Sequence, residues 1–277
     1  MKRRNFIGLT AAFPFLASRA LAFHATGRGG ESNTSNIIAA VGKGENHTAM
    51  FDQLMDSLGG LGQFVKQRGT VVIKPSMAYD RKPDEDWNSN PRLAGHIIKL
   101  CYKLGARYVS LFEQTVDTWT LCYKNSGIER VAKDAGARIW PGNNNVYYQT
   151  IDGDVKIHTS LADVDLIINL AMVNSLAVKP LRGAVENYLH GILNYASLSD
   201  SRIITALKNM PKPQLTISEI RMENSNALIV SLDMVTADVV TAQLLQLPNS
   251  EISRLDNAIV AGIGNENPDE KQIVFIR

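Results

Sequence analysis

The stretch Asp163-Val164-Asp165-Leu166-Ile167-Ile168-Asn169-Leu170 decides the fold class. From Val164 to Leu170 it is apolar except at Asp165 and Asn169. A run this short and this apolar predicts a strand covered on both faces, which is how strands of a parallel sheet flanked by helices read. Working back along the chain, Thr70-Val71-Val72-Ile73 is a second apolar run and ends at Lys74-Pro75-Ser76. A polar loop, 80–90, leads to Pro91, which is placed to open a helix that runs to Leu104 and stops at Gly105. Residues 108–112 form the next expected strand and deliver Glu113 and Thr115. A helix at 128–134, a short strand at 138–140 and a turn at 142–145 follow, and Asp152-Gly153 within 147–157 signals an antiparallel hairpin. Nearer the N-terminus, 37–41 reads as a first strand, and 48–58 as a helix with Met50, Leu54, Met55 and Leu58 on one stripe. Beyond Leu170, helical patterns at 183–193 and 200–208 precede strands at 215–221 and 227–232. Helices at 235–245 and 250–260 and a last strand at 272–276 complete the chain. This alternation predicts an α/β fold: a layered, mostly parallel central sheet flanked by helices, with a small antiparallel excursion. No internal repeat divides it, so residues 37–277 are expected to form a single α/β domain.

With 277 residues, 45% apolar and 20% charged, the chain has the composition of a folded globule. Its formal charge of +2 is unevenly placed. Lys2, Arg3, Arg4 and Arg19 fall in the first 22 residues without an acidic partner, leaving 25 basic against 27 acidic groups in the remainder. A slightly acidic body without a Lys/Arg stripe argues against a nucleic-acid partner. Residues 1–22 have the anatomy of a signal peptide: a basic start, an apolar run from Phe6 to Ala17, and the small-residue site Ala20-Leu21-Ala22. The run is too short to span a bilayer and Pro14 interrupts it. Arg3-Arg4 followed by Asn5-Phe6-Ile7 resembles the twin-arginine pattern, although Lys2 stands where Ser or Thr is usual and Gly8 where Lys is common. Export through the twin-arginine machinery to a periplasmic or extracellular destination is therefore expected, with cleavage after Ala22. Residues 23–36, rich in Gly, Ser, Thr and Asn, read as a flexible linker, and no stable membrane span is expected after cleavage. Cys101 and Cys122 are the only cysteines, which rules out cysteine clusters for zinc or iron–sulfur; helical spacing turns Cys101 toward apolar neighbours, so buried free thiols are expected over a disulfide.

Five junctions together resemble the domain of unknown function 362 family over nearly the whole mature chain. Val72-Ile73-Lys74-Pro75-Ser76 looks like that family's apolar strand ending in Lys-Pro-Asn, and Pro91 through Gly105-Ala106-Arg107 to Glu113 is similar to its next helix, Gly-Ala turn and strand. Asp163 to Leu170 matches its Ala-Asp-apolar-Ile-Asn strand. Leu232-Asp233-Met234-Val235-Thr236-Ala237-Asp238 and Ala261-Gly262-Ile263-Gly264 resemble its later helix start and Gly-x-Gly. The chain departs from the pattern at Ala171-Met172-Val173-Asn174-Ser175-Leu176, where the family has Pro-x-Leu-Lys-Thr-His, and at Glu186-Asn187, where it has Lys-Asn.

In open parallel sheets ligands lie outside the carboxyl ends of the strands. Lys74 and Ser76, Glu113 and Thr115, and Asn169 with Asn174 all stand at such ends. Lys74, Glu113 and Asn169 are the candidate catalytic residues, and Ser76, Thr115, Asn174, Asn187 and Asp233 the candidate ligand-binding ones. The plainer alternative is an ordinary Lys74–Glu113 ion pair beside an Asn169 that serves the backbone. Arg182, Glu186 and His190 recur at i, i+4 spacing and read as one solvated helix face. Asp233 reads first as a helix cap and Asp238 as favouring the positive end of the same helix. Gly59-Gly60-Leu61-Gly62 follows a helix and reads as a turn, and no dinucleotide, Walker, HExxH or GxSxG motif occurs. Three roles remain open: an exported redox or metal-assisted enzyme, a non-catalytic small-molecule binder, and an accessory protein for a redox-enzyme partner or cofactor assembly. The sequence names no cofactor and no metal ligand set.

Overall fold

The computed structural model describes residues 36–276. In chain order its elements are β1 (Ala39–Lys43), α1 (His47–Ser57), β2 (Thr70–Pro75), α2 (Pro91–Lys103), β3 (Tyr108–Glu113), α3 (Trp119–Asn125), α4 (Ile128–Asp134), β4 (Arg138–Pro141), β5 (Tyr148–Asp152), β6 (Val155–His158), β7 (Leu166–Asn174), α5 (Ala184–Leu189), α6 (Asp200–Asn209), β8 (Leu215–Arg221), β9 (Asn226–Ser231), α7 (Met234–Leu244), α8 (Leu255–Ala261) and β10 (Ile273–Ile276). Arg3, Arg4, Ala20 and Ala22, with the rest of the expected signal peptide and nearly all of the linker, lie outside the described residues.

Eight strands form one mixed sheet in the order β10-β1-β9-β8-β7-β2-β3-β4, and β5 and β6 pair separately as an antiparallel hairpin. Within the large sheet only β9 runs against the others. Residues 222–225 alone join β8 to β9, far too short a link for a parallel crossover, so β9 can only fold back. The alternation of side chains sends Val71, Ile73, Leu166, Ile168 and Leu170 to the layer under α1, α2 and α4. Val72, Ile167, Ala171 and Val173 go to the layer that α5, α6, α7 and α8 share with the hairpin. A mostly parallel sheet with helices on both faces and a small antiparallel excursion is the architecture expected from the apolar runs.

The chain leaves β2 for β3 on one side and β7 for β8 on the other. The topological switch point therefore lies between β2 and β7, which pair directly, with Lys74 opposite Asn169. Several boundaries depart from the sequence reading. β7 continues past Leu170 to Asn174 because β8 pairs with it as far as Arg221. α5 stops at Leu189 because the next residues pair with the hairpin: His158 N donates to Gly191 O at 2.8 Å and Leu193 N to Lys156 O at 2.8 Å. α8 starts at Leu255 because residues 251–253 bridge to Leu181, whose N donates to Glu251 O at 2.7 Å. Helix α3 was not foreseen. Cys101 and Cys122 are buried and free, and burial pushes their thiols up to about 12 and about 11.

Candidate functional site

Three of the predicted residues, Lys74 at the end of β2, Glu113 at the end of β3 and Asn169 in β7, meet at the carboxyl edge of the sheet. All three are fully buried. Both carboxylate oxygens of Glu113 lie 2.8 Å from the Lys74 ammonium, which donates to Oε2. Oε2 also accepts from Met77 N at 3.2 Å, while Oε1 has no hydrogen-bond partner. Lys74 Nζ further donates to Pro75 O at 3.0 Å and to Asn187 Oδ1 at 3.3 Å. Asn187, from α5, donates through Nδ2 to Asn169 Oδ1 at 2.7 Å, and Asn169 Nδ2 donates to Ala184 O at 2.9 Å. The two asparagines thus tie α5 to the switch point.

Helix α5 is placed by a residue on α7. Asp238 is fully buried and accepts from Ala184 N at 2.6 Å and Val185 N at 2.9 Å, so its carboxyl group caps α5, where the sequence reading had it favouring the positive end of its own helix. Such an approach needs Gly183: a Cβ there would stand 2.4 Å from Asp238 Oδ1. Burial pushes the Asp238 carboxyl up to about 7 despite the two N–H donors.

His190 caps the C-terminus of α5 and is buried, so the expected solvated face of Arg182, Glu186 and His190 is not formed. The reason is tertiary: the turn after α5 folds under the sheet edge. There His190 Nδ1 donates to Gln114 O at 3.0 Å and lies 3.7 Å from Glu113 Oε1. A carbonyl can only accept, so Nδ1 carries the proton. Burial, then the Lys74 and Arg182 charges, hold the imidazole well below its usual range, which keeps it neutral with its lone pair on Nε2. Burial also pulls Lys74 down and pushes Glu113 up, and in each case it outweighs the attraction between them. One proton passing along the 2.8 Å hydrogen bond turns the ion pair into a neutral pair. The arrangement can thus hold a proton on either partner, beside a neutral imidazole.

The remaining candidates separate. Ser76 and Asn174 line a cavity of about 170 Å³ with Trp87, Met172, Ala177 and Arg182. Asn174 Nδ2 donates to Asp86 O at 3.3 Å and its Oδ1 accepts from Leu176 N at 2.9 Å. Thr115 is held in the loop after β3, where its hydroxyl donates to Asp117 O at 2.8 Å. Asp233 does not join the site. It follows β9, the one reversed strand, and so lies at the opposite edge of the sheet, beside the start of β8 and β1. There it caps α7 through Thr236 N at 2.7 Å.

Sequence reasoning missed a second buried polar pair. His47 Nδ1 lies 2.6 Å from Glu219 Oε2, and Glu219 Oε1 accepts from Asn90 N at 2.7 Å. The signal was present in Glu219, a carboxylate inside the Leu215–Arg221 strand, but its partner is remote in sequence. Among the described residues, no three His, Cys, Asp or Glu side chains are grouped to hold a metal ion. No helix among them is long and apolar enough to cross a membrane.

The family model for a Domain of unknown function (DUF362) matches residues 71–243. The chain belongs to this family. Lys74, Glu113, Asn169, Asn187, His190 and Asp238 all fall inside the DUF362 match, whereas β1, β10 and the Ala261–Gly264 junction fall outside it. Within residues 171–176, which stand where the resemblance noted above has Pro-x-Leu-Lys-Thr-His, residues 171–174 continue β7 and supply Met172 and Asn174 to the cavity wall. No curated protein and no solved structure matches the chain.

Proposed function

We propose that this DUF362 protein binds a small molecule at the carboxyl edge of its sheet and moves a proton on it through Lys74, Glu113 and His190. The observation that carries the reading is a fully buried Lys–Glu pair at the topological switch point, with both groups driven toward their neutral forms. A pair serving stability alone is poorly chosen, because an apolar pair of similar volume does as well or better. Native mass spectrometry of the purified protein is expected to show a retained small molecule. Calorimetry of that molecule in buffers of different ionisation enthalpy is expected to show proton uptake or release, absent in the Lys74→Met/Glu113→Leu variant. An empty wild-type protein that no small molecule stabilises, or an unchanged proton count in the variant, overturns the reading.

One observation favours a second reading, a non-catalytic binder. Lys74, Asn169 and Asn187 complete their bonds with one another and are sealed from solvent. Bound ligand that is released chemically unchanged, with no proton exchanged, selects it.

We further infer that the protein is exported by the twin-arginine machinery, supported by Arg3-Arg4 and the Ala20-Leu21-Ala22 site. That route carries folded cargo and motivates a redox-enzyme or cofactor-assembly partner. Arg3→Lys/Arg4→Lys is expected to leave the protein inside the cell with its leader intact; unchanged export counts against the route. A pull-down from the exported fraction tests the partner, and recovery of none removes it.

A further inference from the structure

Among the described residues, Arg182 is a cation without a hydrogen-bond acceptor. Its Nε is buried and unpaired, and the nearest carboxylate oxygen, Glu186 Oε1, is 3.8 Å away and already accepts from Tyr195 Oη at 2.8 Å. The guanidinium lies over the Tyr79 ring, 4.8 Å from its centroid, which fixes its plane. It borders the cavity that Ser76, Trp87, Met172 and Asn174 also line. Ser76 is buried, and its backbone N–H is taken by Ser89 Oγ while its own hydroxyl has no bond to any described residue. The cavity wall thus combines a flat, forked donor and a hydroxyl donor with apolar surface from Trp87, Met172 and Ala177.

We propose that this cavity binds a small monocarboxylate, gripped by Arg182 and Ser76, with its apolar body against Trp87 and Met172. The assignment rests on the reading of the carboxyl edge as a ligand site and names its ligand class. The forked guanidinium matches a carboxylate, and its outer N–H groups, on a side chain 23% exposed and without a hydrogen bond to any described residue, are open to an acceptor from outside the chain. No second cation lines the cavity, which fits one negative charge and not a phosphate dianion. At ~30 Å³ per water-sized group, about 170 Å³ holds roughly six heavy atoms. Arg182 also acts electrostatically on Lys74, Glu113 and His190, so a carboxylate bound here sits within reach of the buried pair's field.

The test is a calorimetric titration of the full-length mature protein with acetate, propionate and butyrate, with their amides, and with inorganic phosphate. The carboxylates are expected to bind at least 10-fold more tightly than the amides or phosphate. Arg182→Gln is expected to weaken carboxylate binding at least 10-fold while the ligand-free unfolding temperature stays the same, and Arg182→Lys to fall between, since an ammonium keeps the charge and loses the fork. Ser76→Ala provides a second, smaller loss. Amides or phosphate binding as well as carboxylates, or Arg182→Gln binding like wild type, overturns the assignment. Carboxylate binding retained in Lys74→Met/Glu113→Leu supports the cavity assignment even where that variant shows the proton-transfer reading to be wrong.

Discussion

Lys74 and Glu113 show how a buried charge pair differs from its parts. Removing one partner strands the other charge in a sealed site, which costs about 3–5 kcal/mol, whereas replacing both with apolar residues is close to neutral. Lys74→Met is therefore expected to lower the urea midpoint strongly, and Lys74→Met/Glu113→Leu to recover most of the loss; equal midpoints for the two variants would refute the coupling. Asp238 gives a pH signature of its own. Its folded carboxyl is pushed up to about 7, while the unfolded one ionises near ~3.9. Between those values the native state holds a proton the unfolded chain has lost. The contribution of this group is therefore complete below about pH 4 and is lost as pH rises through 7, on the order of 4 kcal/mol at ~1.4 kcal/mol per pH unit. Stability measured across pH 4–7 is expected to fall less in Asp238→Asn than in wild type; parallel profiles would show that Asp238 ionises normally.

Helices α5 and α7 are each capped by an aspartate, α5 by Asp238 from α7 and α7 by Asp233 just before its own start. Asp233 caps α7 and touches nothing in the site, so Asp233→Ala is expected to cost ~1 kcal/mol of stability without altering ligand binding. Gly183 lies under the cap of α5, where a methyl group collides with Asp238 Oδ1. Gly183→Ala is expected to cost ~1–3 kcal/mol and to weaken ligand binding as well, because Asn187 and His190 move with the helix. Thermal unfolding and ligand titration of the two variants separate these outcomes, and a loss of binding in Asp233→Ala would place that residue in the site after all.

At the scale of the molecule, the matched DUF362 segment is not the whole sheet. β1 and β10 lie outside residues 71–243, as does α1, which covers the apolar face of β9 around Leu228 and Val230. A chain cut to 71–243 exposes the β9 edge and that face, and is expected to lose cooperative unfolding in calorimetry. A sharp two-state transition from that fragment would show that the added strands are dispensable.

The fold class was legible because the strands at 70–73, 108–112 and 164–170 are apolar enough to demand cover on both faces, and periodicity is a local property of the chain. The meeting of Lys74, Glu113 and Asn169 was legible for the same reason: each ends a strand, and parallel strands bring their ends together. What only the tertiary structure decided is everything that depends on a neighbour remote in sequence. His190 reads locally as one stop on a polar helix face, yet pairing of the following turn with the hairpin carries it beneath Gln114. Asp238 caps a helix that starts 54 residues before it, and Asp233 is removed from the site by the reversal of β9. Helical and strand periods set which face a residue takes on its own element, but the direction of the strand and the packing of the next layer set what that face meets.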